Sequence, residues 1–386
     1  MKKKLLVTAS TFPRWEDDTE PRFVLDLSKA LLKYFDVTVL VPAAPGAKDR
    51  EVLEGVKVIR YHYFPIHKWE TLCYPGAIVP RIKEKKIRGL LIPFLLFTLW
   101  RVLNKNLDMY DLVHAHWIIP QGIVQAFFKT PYLLTGHGGD VTALNKFPIS
   151  ILKKHSINNA SEITVVSNAL KNVVAGMNEH KKISVIPMGC DIKKFSPDNR
   201  EENFFDQNGK KVVLFVGRLA EKKGVRYLIE AMETIDAILI IVGSGPLEYE
   251  LKKQSEGMGS KIQFWGAKTH SELPKIYASA DLFVAPSITA QNGDKEGVPT
   301  TIVEAMASGI PVIGTNHSGI PELICNGENG FLVEEKDVVA LKEKIDLILT
   351  SDDIRKKFIK NGLKTAQSRS FENIAKEYAS LLNNIS

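Results

Sequence analysis

Cysteine is scarce in this 386-residue chain, with only Cys73, Cys190 and Cys325. Their odd number and wide spacing fit neither a disulfide framework nor a zinc site, so a reducing cytoplasm is the expected compartment. Long apolar runs are scarce too: the stretch at 90–100 falls well short of the roughly 20 residues a spanning helix needs. The opening Met1-Lys2-Lys3-Lys4-Leu5-Leu6-Val7-Thr8 has the charge of a secretion signal. Its apolar run is short and no small-residue cleavage site follows, so it reads as a first strand. A three-glycine dinucleotide fingerprint is missing as well. Gly243-Ser244-Gly245 lacks the third glycine and the first strand runs into Ser10-Thr11-Phe12-Pro13-Arg14, which argues against a dehydrogenase. No solenoid-length repeat and no low-complexity tract is visible.

What is present is ample apolar material, 45% of residues, in a chain longer than one core usually serves. Short β-branched runs alternate with helical patterns. In the first half they fall at 4–9, 37–41, 56–61, 112–115, 132–135, 162–166 and 183–186; in the second at 211–216, 237–242, 262–265, 282–285, 311–314 and 331–333. This pattern predicts an α/β fold of two doubly wound, Rossmann-like domains with parallel sheets, facing across a cleft, with ligands beyond the carboxyl ends of the strands. The expected division is an N-terminal domain at 1–197, a polar linker at 198–209, a C-terminal domain at 210–368, and a last helix at 369–386 packing back on the N-terminal domain.

The net charge of +7, with a pI near 9.0, predicts modest attraction to anionic surfaces. No groove-reading motif accompanies it, so nucleic acid is not an expected partner. Part of the charge is concentrated. Arg81, Lys83, Lys85, Lys86 and Arg88 precede the apolar stretch at 90–100, and Arg101 and Lys105 follow it. From Arg81 to Lys105 the segment suits a membrane interface with anionic headgroups, and equally a buried helix behind a basic turn.

The densest chemistry lies in Glu296-Gly297-Val298-Pro299-Thr300-Thr301-Ile302-Val303-Glu304. A loop there enters an amphipathic helix, leaving backbone N–H groups at a helix N-terminus where the dipole favours an anion. Gly297, Val298, Thr300 and Thr301 supply those amides, whereas Pro299 has none. The flanking carboxylates of Glu296 and Glu304 accept hydrogen bonds from hydroxyls. A nucleoside diphosphate sugar combines phosphate and hydroxyls in that way. Arg218 and Lys223, just past the strand at 211–216, suit the same diphosphate through a planar fork and a mobile point charge. Gly243 marks a tight turn after the next strand, and residues 292–295 (Asn292, Gly293, Asp294, Lys295) read as a surface loop able to order over a ligand. In the first half, His137 lies between glycines after a strand, with Asp140 nearby, while His114 and His116 read as residues packing under the site.

Gly217-Arg218-Leu219, Lys222-Lys223-Gly224, Val242-Gly243-Ser244-Gly245-Pro246, Ala285-Pro286-Ser287 and the paired glutamates resemble the second domain of family-four glycosyltransferases. His114-Ala115-His116-Trp117, Gly136-His137-Gly138-Gly139-Asp140 and Ile186-Pro187-Met188-Gly189-Cys190-Asp191 extend the resemblance through the first domain. It implies a GT-B fold, sugar transfer with retention at the anomeric carbon, and no metal or separate cofactor. It implies a donor that is a UDP- or GDP-sugar, and an acceptor that is a glycan or lipid-linked. It also gives roles: Glu296 on donor-sugar hydroxyls, Glu304 on the ribose, Arg218 and Lys223 on the diphosphate, His137 at the reacting centre. Where the family often has paired glycines after its first strand, this chain resembles a subgroup with Phe-Pro-Arg. Two alternatives compete. An epimerase or hydrolase on a similar scaffold would need acid and base carboxylates on both sides of the sugar, and Asp17, Asp18 and Glu20 read as solvated. A catalytically idle sugar-binding protein would not need Arg218, Lys223, Glu296 and Glu304 together.

Overall fold

The computed structural model describes residues 2–76, 78–177, 182–205, 209–291 and 293–385, so Asn292 and residues 206–208 of the expected linker lie outside the described residues. The chain forms two compact units. One comprises Met1–Pro187 with Phe371–Ser386, the other Met188–Ser370.

The first unit holds β1 (Lys4–Thr8), β2 (Asp36–Pro42), β3 (Arg50–Leu53), β4 (Val56–Tyr61), β5 (Leu112–His116), β6 (Tyr132–Gly136), β7 (Glu162–Val165) and β8 (Ile183–Val185). They form an eight-stranded sheet in the order β3-β4-β2-β1-β5-β6-β7-β8. Its pairs are parallel except β3 with β4, which run antiparallel. This edge strand departs from the expected all-parallel sheet. Its turn is Glu54-Gly55, both at positive φ as a two-residue hairpin requires. A short charged strand turned by Glu in place of Asn or Asp leaves little sequence signal.

The second unit holds β9 (Lys211–Val216), β10 (Ala237–Val242), β11 (Ile262–Gly266), β12 (Leu282–Ala285), β13 (Val312–Thr315) and β14 (Phe331–Val333), in the order β11-β10-β9-β12-β13-β14. Both faces of this parallel sheet are covered, which is why β10 reads Ala-Ile-Leu-Ile-Ile-Val and is buried throughout. Val212, Leu214 and Val216 belong to one core and Val213 and Phe215 to the other, following the two-residue period of the strand.

The boundary differs from the expected one. Residues 188–197 and the expected linker fall within the second unit. Phe195 and Phe205 are buried there, Phe205 lies 5.3 Å from the Trp265 ring, and the Arg200 guanidinium donates to the carbonyls of Ala278 and Ala280. Polar composition hid these aromatic anchors. The helix Phe371–Asn384 belongs to the first unit, where Tyr378 packs 5.1 Å from the His114 ring.

From Lys86 to Met109 the chain is helical for 24 residues, with an 18-residue window of mean hydropathy 1.4, enough by length and composition alone to cross a bilayer. The sequence count at 90–100 missed this length. Within it, the helix Ile92–Asn106 buries Leu95, Leu99 and Leu103 on one side and exposes Phe94, Phe97 and Trp100 on the other. The core reading thus holds for one face of this helix, and its aromatic face is exposed.

Candidate functional site

Strand order reverses in the second sheet between β9 and β12, which pair through Leu282 with Val213 and Phe283 with Leu214. A crevice at the carboxyl ends of such strands is where doubly wound sheets bind ligands. Three turns meet there backbone to backbone. Leu219 N–H donates to Ser244 O at 2.9 Å, and Ile288 N–H to Lys222 O at 2.9 Å. A Cβ on Gly243 would lie 2.0 Å from Gly217 O, and one on Gly224 would lie 1.9 Å from Pro286 O. Glycine is thus required for the turns to approach, and Lys223 is carried on a turn with little freedom.

Lys223 Nζ meets the Glu296 carboxylate at 2.6 Å, with side-chain exposures of 16% and 15%. Burial pushes the Glu296 carboxyl up, but the Lys223 and Lys222 ammonium groups and the Gly297 amide outweigh it and hold the group at about 2. Glu296 is consequently an acceptor only, suited to hydroxyls. Lys222 also reaches Asp294 at 3.4 Å, tying the exposed 293–295 loop to the same turn. Arg218 is exposed one residue past Gly217.

The helix Thr300–Ala307 starts after Pro299, which offers no side-chain cap, so the amides of Thr300 and Thr301 open the helix beside Glu296. Four residues on, Glu304 accepts a hydrogen bond from the buried Tyr277 hydroxyl at 3.0 Å. Burial pushes the Tyr277 phenol far up and the carboxylate adds to this, so Tyr277 stays a donor that fixes Glu304. The structure therefore gathers Arg218, Lys223, Gly243, Glu296, Gly297, Val298, Thr300, Thr301 and Glu304 at one sheet end of the second unit.

His137 and Asp140 belong to the first unit. Asp140 accepts from the amides of His137, Gly138 and Ile118 at 3.0, 2.9 and 2.8 Å, closing the loop on itself. Burial pushes its carboxyl up against those three bonds. Lys153 braces the next turn through Val141 O and Ala143 O, and burial lowers its ammonium to about 8. His137 Nε2 lies 2.9 Å from His116 Nδ1. Burial holds His137 and His114 near 3, and burial with the neighbouring imidazoles drives His116 well below its ordinary value, so all three are neutral. His114 and His116 are fully buried, whereas His137 keeps partial exposure.

Of the carboxylates expected to be solvated, Asp17 is exposed, but Asp18 and Glu20 are buried. Asp18 is 3% exposed and is gripped by Arg14 through Nε at 2.8 Å and Nη2 at 2.7 Å, while Glu20 accepts the Gly76 amide at 3.0 Å. Arg60 donates to the carbonyls of Pro13 and Arg14. This loop after β1 is thus locked by side chains where glycines would open it, and its buried acids Asp18 and Glu20 are already engaged.

Residues 21–194 match the family described as Glycosyltransferase Family 4, and residues 197–365 match Glycosyl transferases group 1. The chain belongs to the family-four type of glycosyltransferases. An uncharacterized glycosyltransferase of Methanocaldococcus jannaschii is 28% identical over 83% of this glycosyltransferase and 89% of that protein. The amylovoran biosynthesis glycosyltransferase AmsK of Erwinia amylovora is 38% identical over 42% of this chain and 40% of its own. In fold, it resembles HepE of Anabaena, solved in complex with UDP-glucose, at a TM-score of 0.74 with 21% identity, covering 99% of this chain and 100% of the other. It thus has two Rossmann-like domains of the GT-B type.

Several residues of the glycosyltransferase's second domain carry no sequence signature of their own. Tyr277 lies mid-helix with no motif, and His317 and Glu335 follow β13 and β14, far from Glu296 in sequence. Yet His317 Nε2 accepts the Glu296 amide at 3.0 Å. A lone buried histidine next to a strand end was the available signal.

Proposed function

We propose that this glycosyltransferase is a retaining, metal-independent hexosyltransferase. It takes a UDP- or GDP-sugar and delivers the sugar to a glycan or lipid-linked acceptor in polysaccharide biosynthesis. The observation that carries this reading is the Lys223–Glu296 pair at the switch point. It sets a cation for a departing diphosphate in contact with a carboxylate kept ionised for sugar hydroxyls. Arg218 shares the diphosphate, the Thr300 and Thr301 amides face phosphate, Glu304 takes the ribose, and His137 acts at the reacting centre from the first domain. The side-chain-locked loop after β1 supports placement in the Phe-Pro-Arg subgroup. UDP-glucose bound to HepE and the amylovoran role of AmsK favour a hexose donor and a polysaccharide product.

In the reaction the anomeric C–O bond to the diphosphate breaks and a C–O bond to the acceptor forms. The acceptor proton passes to a donor phosphate oxygen. Stabilising the departing phosphate charge is the protein's main task, which suits a site built of cations and amides and no amino-acid nucleophile. Retention predicts an α-linked product from an α-linked donor. Proton NMR of the product tests it, and a β anomeric signal would sink the assignment.

The open aromatic face supports work at the cytoplasmic surface of a membrane. Ile87, Leu90, Phe94, Phe97 and Trp100 are exposed beside the exposed Lys83, Lys85, Lys86, Arg101 and Lys105. Apolar rings entering the interface with lysines on acidic headgroups is the expected arrangement. Flotation with phosphatidylglycerol vesicles should carry the protein up, weakening as salt rises; binding indifferent to lipid charge and salt would reject it.

A further inference from the structure

We infer that His317, clamped by Glu335, is the positioning residue that sets Glu296 for the donor sugar; this rests on the reading that Glu296 binds that sugar. The turns after β12, β13 and β14 meet at one imidazole. Glu335 accepts Thr289 N–H at 2.7 Å and Thr289 Oγ1 at 3.1 Å, and lies 2.6 Å from His317 Nδ1. The other ring nitrogen, Nε2, lies 3.0 Å from the Glu296 amide nitrogen. A backbone N–H only donates, so Nε2 must be the acceptor and the ring proton sits on Nδ1, aimed at the Glu335 carboxylate. Both roles of the neutral ring are used.

The His317 side chain is 1% exposed, against an exposed neighbour of Glu296 at Lys295. Burial pushes Glu335 up, and the Thr289 amide and His317 outweigh it, so the carboxylate remains an acceptor. The Thr315 hydroxyl donates to Ser287 O at 2.5 Å, joining the same two turns a second time. Glu296 lies in a loop ahead of the helix Thr300–Ala307, so its backbone is held by the bond to His317 Nε2 and its carboxylate by Lys223. His317 fixes the one end and leaves the other to meet ligand. It acts through Glu296 without touching the sugar.

Hydrogen–deuterium exchange over residues 295–298, read in the full chain without ligand, tests the hold directly. Exchange there should quicken about tenfold in His317→Ala and in Glu335→Gln, as loss of one hydrogen bond implies. Titration with UDP, UDP-glucose, GDP and GDP-mannose then reads the consequence. For whichever sugar nucleotide binds, His317→Ala should raise Kd about tenfold while the matching diphosphate changes less than about twofold. His317→Gln, which keeps an acceptor and a donor, should recover part of the loss. Unchanged exchange, or equal losses for diphosphate and sugar nucleotide, would overturn the inference. If Glu296→Ala leaves sugar-nucleotide affinity intact, the donor reading fails by itself, while the exchange rate still decides whether His317 holds Glu296.

Discussion

Lys223→Met should lower kcat by a factor on the order of a hundred to a thousand, the range seen when one preorganised charge-stabilising group is lost. Two effects combine. The departing diphosphate loses a cation, and Glu296 loses the partner 2.6 Å away that keeps it ionised. In the wild type that carboxyl sits at about 2, below its ordinary value, so its charge persists down to about pH 2. Without Lys223 the burial that pushes it up acts with less opposition, leaving only Lys222 and the Gly297 amide. Glu296 should then take up a proton at higher pH, and the variant should show an acid limb in kcat/KM where the wild type is flat. Steady-state rates across pH check this. A variant with wild-type turnover and the same pH profile would remove Lys223 from the site.

Gly224→Ala should destabilise the second unit by about 3 kcal/mol or more, because two costs of known kind add. Gly224 has φ +63°, a region that L side chains rarely adopt, and its added Cβ would sit 1.9 Å from Pro286 O. The obstacle is backbone, so no side-chain rotation relieves it. For a unit of this size the loss corresponds to a fall of roughly 6–12 °C in thermal midpoint. Gly257→Ala is the control, since a Cβ there meets nothing within 4 Å. Equal midpoints for the two variants would show that the turns after β9 and β12 are not in the contact described.

The two doubly wound sheets were legible in sequence because burial on both faces writes continuous apolar runs, as in β10. The edge strand β3 was not, since its four residues are charged at one end and its turn uses Glu54. The linker was misplaced for a related reason: Phe204 and Phe205 anchor a segment whose other residues are polar. In the candidate site, Glu296, Lys223 and Arg218 were legible because charged residues next to glycines at strand ends stand out. The partners that hold them were hidden. Tyr277, His317 and Glu335 come from separate elements, and only the fold brings their polar atoms to Glu304, Glu296 and Thr289. Asp18 and Glu20 show the opposite error, acids that look solvated in sequence and are engaged by Arg14 and the Gly76 amide.

In the function proposed above, the second domain holds a nucleoside diphosphate sugar through Lys223 and Glu296. Thermal shift of the wild type and Glu296→Gln with UDP, GDP and a panel of their sugar conjugates tests it most directly, because a ligand that binds the folded state raises its apparent stability. One sugar conjugate should raise the wild-type midpoint more than its own diphosphate does, and Glu296→Gln should lose this extra increment while keeping the diphosphate's. Failure of every diphosphate and sugar conjugate to shift the wild type, or an increment untouched in Glu296→Gln, would contradict it.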